Sequence, residues 1–191
     1  GFIMAYSYIQ GVQGTLSQSG ATSTVTITST AGNLLVLGSR QTGEFRDVIS
    51  ISDNQGGMWA PAAPNRYGNS SARDLWYCQN APGGNTAITI TYDSTVTVAV
   101  PTVLEYSGIR AVGALEASAS VGTVGVFTSS MTTPIMTPTS NATYLLVAFV
   151  HEESNRTIDA LSGFTNRIYA TNPDLPIDDL PRTTLLVLRP Q

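Results

Sequence analysis

The one histidine of the chain stands in His151-Glu152-Glu153, directly after the apolar run Leu145-Leu-Val-Ala-Phe-Val150. An imidazole beside two carboxylates has the parts of an acid–base pair or of a metal site. A hydrolytic zinc centre takes three converging protein ligands, usually with more than one His, and this chain has only one. Ser and Asp are plentiful enough for a Ser-His-Asp triad, but no Gly-x-Ser-x-Gly elbow presents a nucleophile. The expectation is a polar loop closing a strand, with a hydrolase the least favoured reading and no enzyme activity expected.

Two segments carry clustered oxygen donors: Asp53-Asn54-Gln55-Gly56-Gly57 and Asp174-Leu-Pro-Ile-Asp178-Asp179. Calcium takes six to eight oxygens, more than one short turn supplies. Asp53 is read first as a turn-former bonding the backbone two residues on. Asp174, Asp178 and Asp179 are the better calcium candidates, and no other cofactor is expected.

Aromatic residues offer a third chemistry, since sugar C–H faces stack on rings while amides and guanidinium groups read hydroxyls. Tyr67 lies in the long, aperiodic stretch of residues 60–72 with Asn65, Arg66 and Asn69, and Arg73 follows. In a strand Leu75 and Tyr77 share one face and Asp74, Trp76 and Cys78 the other, so Trp76, beside an acidic residue, is expected to reach solvent, whereas Trp59, Tyr77 and Tyr106 are expected in the core. Tyr67, Asn65, Arg66, Asn69, Arg73 and Trp76, with His151 and Glu152, form the candidate ligand set.

These residues must be held by strands. Segments rich in Val, Ile, Thr and Tyr recur between Gly, Pro, Asn and Asp turns, the pattern of an all-β protein. Thr22-Ser-Thr-Val-Thr-Ile-Thr28 alternates strictly, as a strand with one wet face does. Leu34 to Leu37 is a continuous apolar run, as in a strand covered on both sides. Asn54-Gln-Gly-Gly57 is expected to close a hairpin, and Pro101 to mark an edge position or bulge in a strand over residues 95–106. The count is about eleven to thirteen strands in a two-sheet antiparallel, jelly-roll-like β-sandwich. At 191 residues this fits one domain over 1–191.

Thr30-Ala-Gly-Asn-Leu-Leu-Val-Leu-Gly38 is echoed by Thr139-Ser-Asn-Ala-Thr-Tyr-Leu-Leu-Val-Ala-Phe-Val150. A polar turn feeds a short apolar strand twice, so the domain reads as two weakly repeated halves, about 1–110 and 111–191. Each Leu-Leu-Val strand is expected in a comparable place in the core.

Hydrophobic residues make up 42% and charged ones 12%, with a net charge of −4. All nine basic residues are Arg and none cluster, which argues against nucleic acid as a partner. No apolar run reaches the roughly 20 residues of a membrane-spanning helix, so no membrane insertion is expected. Cys78 is alone, so no internal disulfide forms; it is expected to be a small buried apolar residue.

The succession Thr30-Ala-Gly-Asn-Leu-Leu-Val, Ser52-Asp-Asn-Gln-Gly-Gly-Met-Trp59, Leu75-Trp-Tyr-Cys-Gln-Asn-Ala-Pro-Gly-Gly-Asn-Thr86 and Val103-Leu-Glu-Tyr-Ser-Gly108 resembles an uncharacterised β-sandwich module recurrent in bacterial secreted, surface and phage-associated proteins. The resemblance implies an extracellular or cell-surface setting and carries no catalytic residues. With the weakly charged surface it leads to a non-enzymatic binding or adhesion module, its partner a glycan or other cell-surface polymer. The alternative is a self-assembling subunit of a filament, sheath or virion, with Gly1, Phe2, Ile3 and Met4 adding a strand to a neighbouring copy.

Overall fold

The structure is a computed structural model describing residues 6–15, 18–42, 46–62, 75–122, 144–151, 165, 167 and 182–188. Among them there is no helix, and the strands are β1 (Ser7–Gln13), β2 (Gln18–Ser29), β3 (Leu34–Thr42), β4 (Val48–Asp53), β5 (Trp59–Pro61), β6 (Leu75–Cys78), β7 (Gly84–Ser107), β8 (Leu115–Gly122), β9 (Leu145–His151) and β10 (Arg182–Leu188). Every pairing is antiparallel. The all-β antiparallel expectation holds, and β2 shows its wet face: Ser23, Val25, Ile27 and Ser29 are buried while Thr22, Thr24, Thr26 and Thr28 are exposed.

The spine is β7. Residues 95–106, expected as a strand of their own, are continuous with the stretch before them, because Asp93 N–H donates to the Asp47 carbonyl at 2.9 Å and the ladder runs through the polar stretch. Ala99 pairs with both Gln18 and Gln41, and Thr102 with both Gln13 and Gly38. A strand has only two edges, so β1 and β2 lie in series along one edge of β7, and β3 and β4 along the other. Beyond β3 the sheet continues through β6 to β5.

This arrangement corrects the reading of Pro101. The proline faces Ser39 of β3 and is central in the sheet rather than at its edge. On its other side the β1 ladder ends at Gln13, the β2 ladder begins at Gln18, and Gly14 N–H donates to the Pro101 carbonyl at 2.8 Å. In an antiparallel pair a residue's N–H and C=O face the same neighbour. The missing donor therefore falls in the break between β1 and β2, where little is lost.

The hairpin expected across Asn54-Gln-Gly-Gly57 is also corrected. β4 pairs with β7 while β5 pairs with β6, so the turn carries the chain from one flank of the sheet to another. Two cores result. In the first, Ile88, Ile90, Tyr92 and Val96 from the first half of β7 meet Ala99 and Val103 from its second half, with Val25, Ile27, Leu35, Leu37, Trp76 and Cys78. In the second, Leu34, Val36, Leu75 and Tyr106 meet Leu145 and Val147 of β9. β9 belongs to a separate three-stranded sheet in the order β8-β10-β9.

Thus β3 is covered on both faces, as its continuous apolar run predicts, and so is β6. Trp76, expected to reach solvent, is 6% exposed in the first core. The alternation that separates it from Leu75 and Tyr77 is correct, but the opposite face of β6 meets a core too. That leaves β6 without a wet face.

Candidate functional site

The four sequence motifs converge on polar turns joined by hydrogen bonds. Glu105, in the apolar stretch Val103-Leu-Glu-Tyr106, is 0% exposed. A carboxylate taken out of water must be met by donors. Its Oε1 accepts the Thr30 backbone N–H and Asn33 Nδ2–H, both at 2.7 Å, and its Oε2 accepts Gln10 Nε2–H at 2.6 Å. The same Gln10 amide donates to the Thr28 carbonyl at 2.6 Å. Thr30-Ala-Gly-Asn33 is therefore docked onto a buried negative charge.

The next turn locks onto the first. Ala81 N–H donates to the Asn33 carbonyl at 2.8 Å, and Gly32 N–H to the Ala81 carbonyl at 2.9 Å. Gly83 takes a φ of +81°, and a Cβ there would run into the Ala31 backbone. Only glycine meets both demands without strain.

Asp53 performs the turn role expected of it, and more. Its Oδ1 accepts Gln55 N–H at 2.8 Å and Gly57 N–H at 3.0 Å, and its Oδ2 accepts Trp59 Nε1–H at 2.7 Å. Burial works against ionisation, but the bonds from Gly57, Trp59, Gln55 and Gly56 outweigh it and hold the carboxyl below its usual value. A Cβ on Gly57 would strike the Asp53 carboxylate and crowd Cys78 Sγ. Asn54 Nδ2 and Gln55 Nε2 both donate to the Asn85 carbonyl, at 3.1 and 3.0 Å, joining this turn to the start of β7.

Inside the first core a polar chain links three strands. Tyr92 Oη lies 2.7 Å from Ser23 Oγ and 2.8 Å from Ser39 Oγ, all three side chains buried. Cys78 is 0% exposed, as expected. Burial, with the Asp53 charge adding and the Met58 backbone opposing, pushes its thiol up to about 11. A thiol so far from its thiolate is a poor nucleophile at neutral pH.

Chemically these groups are committed to holding turns. Glu105 and Asp53 each have both carboxylate oxygens engaged by donors from the fold. Among the described residues no three His, Cys, Asp or Glu side chains come together as a metal site. Asp174, Asp178 and Asp179 lie outside the described residues, as do Glu152 and Gly1, Phe2, Ile3 and Met4. His151 is the last residue of β9, opposite Arg182 of β10.

The candidate ligand set divides in the same way. Asn65, Arg66, Tyr67, Asn69 and Arg73 lie outside the described residues, but the roots of their loop are described. β5 and β6 pair through Trp59–Cys78, Ala60–Tyr77 and Pro61–Trp76, and Ala62 N–H donates to the Leu75 carbonyl at 2.8 Å. The residues that flank the 63–74 segment, Ala62 and Leu75, therefore lie side by side at one hydrogen-bonded step.

Sequence reasoning overlooked Glu105, although a lone carboxylate among Val, Leu and Tyr is itself the signal of a buried, donor-matched acid. No family model matches the chain, and no curated protein or solved structure is significantly similar to it, so the likeness to secreted and phage-associated modules rests on the motifs alone.

Proposed function

We propose that the chain is a non-enzymatic extracellular or cell-surface binding module built as a β-sandwich, and that it takes a glycan through the loop of residues 63–74. The observation that carries this reading is the root of that loop. The twelve residues that include Tyr67, Asn65, Arg66, Asn69 and Arg73 join two positions, Ala62 and Leu75, which the β5–β6 ladder and the Ala62–Leu75 bond hold side by side. Long loops on a rigid scaffold are where β-proteins carry recognition. The sandwich reading is supported by β7, whose two halves contribute to one core while different strands flank each half.

A panel of immobilised glycans tests the proposal. Retention of the parent on at least one of them, lost in Tyr67→Ala and Arg66→Ala with unchanged melting temperature, is the expected result. Retention on none, or variants that bind like the parent, refutes it.

Self-assembly is the second reading, and β1 favours it. β1 ends the order of the seven-stranded sheet, and exposed edges accept further strands. The register shift between Tyr8 and Gln10 leaves Ile9 as an unpaired bulge, 45% exposed. Bulges blunt edges against added strands, which is why glycan binding leads.

A further inference from the structure

β1 and β2 lie end to end along one edge of β7, joined only by residues 14–17. The Gln18 side chain fixes the start of β2, accepting the Thr24 N–H at 2.6 Å and donating to the Thr24 carbonyl at 2.9 Å. A swing of β1 therefore pivots between Gln13 and Gln18.

β1 is lightly held. Ser7 and Ile9 are exposed and its other residues are half-buried, whereas β2 and β3 bury Val25, Ile27, Leu35 and Leu37 almost completely. Its contacts are the ladder from Ser7–Ser107 to Gln13–Thr102, the Gln10 bonds to Glu105 and the Thr28 carbonyl, the meeting of the Tyr8 and Tyr106 rings, and the packing of Val12 on the first core. The β1 of a second copy can make every one of them.

The corner between β1 and β2 is tight. A Cβ on Gly14 would lie 2.8 Å from the Thr24 carbonyl oxygen and 2.9 Å from Pro101 Cγ, closer than side chains pack. In the residue before it, Gln13 Nε2 is buried with no acceptor among the described residues. A buried donor left unpaired costs free energy, and short, tight hinges favour exchange of the strand they carry.

We infer that β1 is an exchangeable strand: two copies of the chain form a dimer in which the β1 of each lies on the second half of the other's β7. Exchange remakes the β1 contacts between chains, so the two forms differ only at the hinge. Opening gives up the Gly14–Pro101 and Gln18–Thr15 bonds, at 2.8 and 3.1 Å, to water and releases the crowded corner. The Ile9 bulge, which blunts the edge against an added strand, is no obstacle because it travels with β1. Exchange is independent of any glycan binding.

Cysteines at a register pair test it. Full chains carrying Ser7→Cys and full chains carrying Ser107→Cys are incubated together at millimolar concentration, diluted, and treated with oxidised glutathione, while a control mixes them only after dilution. Exchange sets the two cysteines opposite each other on different chains. A covalent dimer on a non-reducing gel, absent from the control, is the expected result. With Gly14→Ala in both chains the yield is expected to rise about tenfold, since the added methyl collides only in the closed corner. Two glycines inserted after Thr15 relax that corner and are expected to lower the yield about tenfold.

No covalent dimer beyond the control overturns exchange. Yields that match the parent in both variants overturn the corner as its cause. If Gly14→Ala does not fold, the insertion decides alone, and a yield no lower than the parent's overturns the corner.

Discussion

Leu34 and Val36 of β3 share a core with Leu145 and Val147 of β9, so the two Leu-Leu-Val strands face a common interior through matching positions. Their middle residues part company. Leu35 is 0% exposed in the first core, whereas its counterpart Leu146 is 45% exposed. The same three residues thus yield a strand buried on both faces in one copy and a strand with one open face in the other. What differs is not the strand but its cover: β3 has Val25 and Ile27 of β2 and the first half of β7 over its second face. An apolar run records what a strand tolerates, and its neighbours decide what is buried.

The largest test of this contrast removes Leu35. Leu35→Ala empties a sealed site and is expected to cost about 4 kcal/mol in denaturant unfolding, against a few tenths for Leu146→Ala. Equal losses at the two positions would erase the distinction between the copies. Glu105→Ala is next, at about 3 kcal/mol, because the Thr30, Asn33 and Gln10 donors lose their acceptor inside the protein. A loss under about 1 kcal/mol would mean that the turn before β3 holds without its buried charge.

A smaller effect is expected at Asp53, where Asp53→Asn costs about 1–2 kcal/mol at neutral pH through the Trp59 bond. The folded carboxyl sits below its usual value. Its contribution is therefore complete above the unfolded value of about 3.9 and is lost as pH falls through the lower folded value. The stability gap between parent and Asp53→Asn should close on acidification below about pH 4, and a gap that widens there would contradict the assignment. The smallest effect belongs to Leu146→Ser, expected within about 0.5 kcal/mol of the parent. A large loss would show that the outer face of β9 is covered in solution.

Much of this was legible residue by residue. The strict alternation of Thr22 to Thr28 announces one wet face, the run from Leu34 announces two dry ones, and Asp53 announces its turn, because each follows from strand period or side-chain reach within a few residues. Pro101 and Trp76 were misread for one shared reason. Whether a proline lacks a partner, or a face meets water, depends on strands distant in sequence: β1 and β2 break opposite Pro101, and the first core closes over Trp76. Of the candidate ligand residues, the loop of Tyr67 was legible as a long interruption between strands. The stacking of Arg167 on the Tyr8 ring, which meets Tyr106 edge to face, was not legible, since the three come from distant segments.

The sequence by itself determined the all-β character, the positions of most strands and the turns at Thr30, Asp53 and Ala81, since these express local period, positive-φ glycines and short-range side-chain bonds. Only the tertiary structure decided that residues 84–107 form one spine with a pair of strands in series on each edge. It also decided that Glu105 anchors the turn before β3, and that one Leu-Leu-Val strand is sealed while the other is open. Pairing between distant strands and burial of a charge are set by which surfaces meet, and no local pattern encodes that meeting.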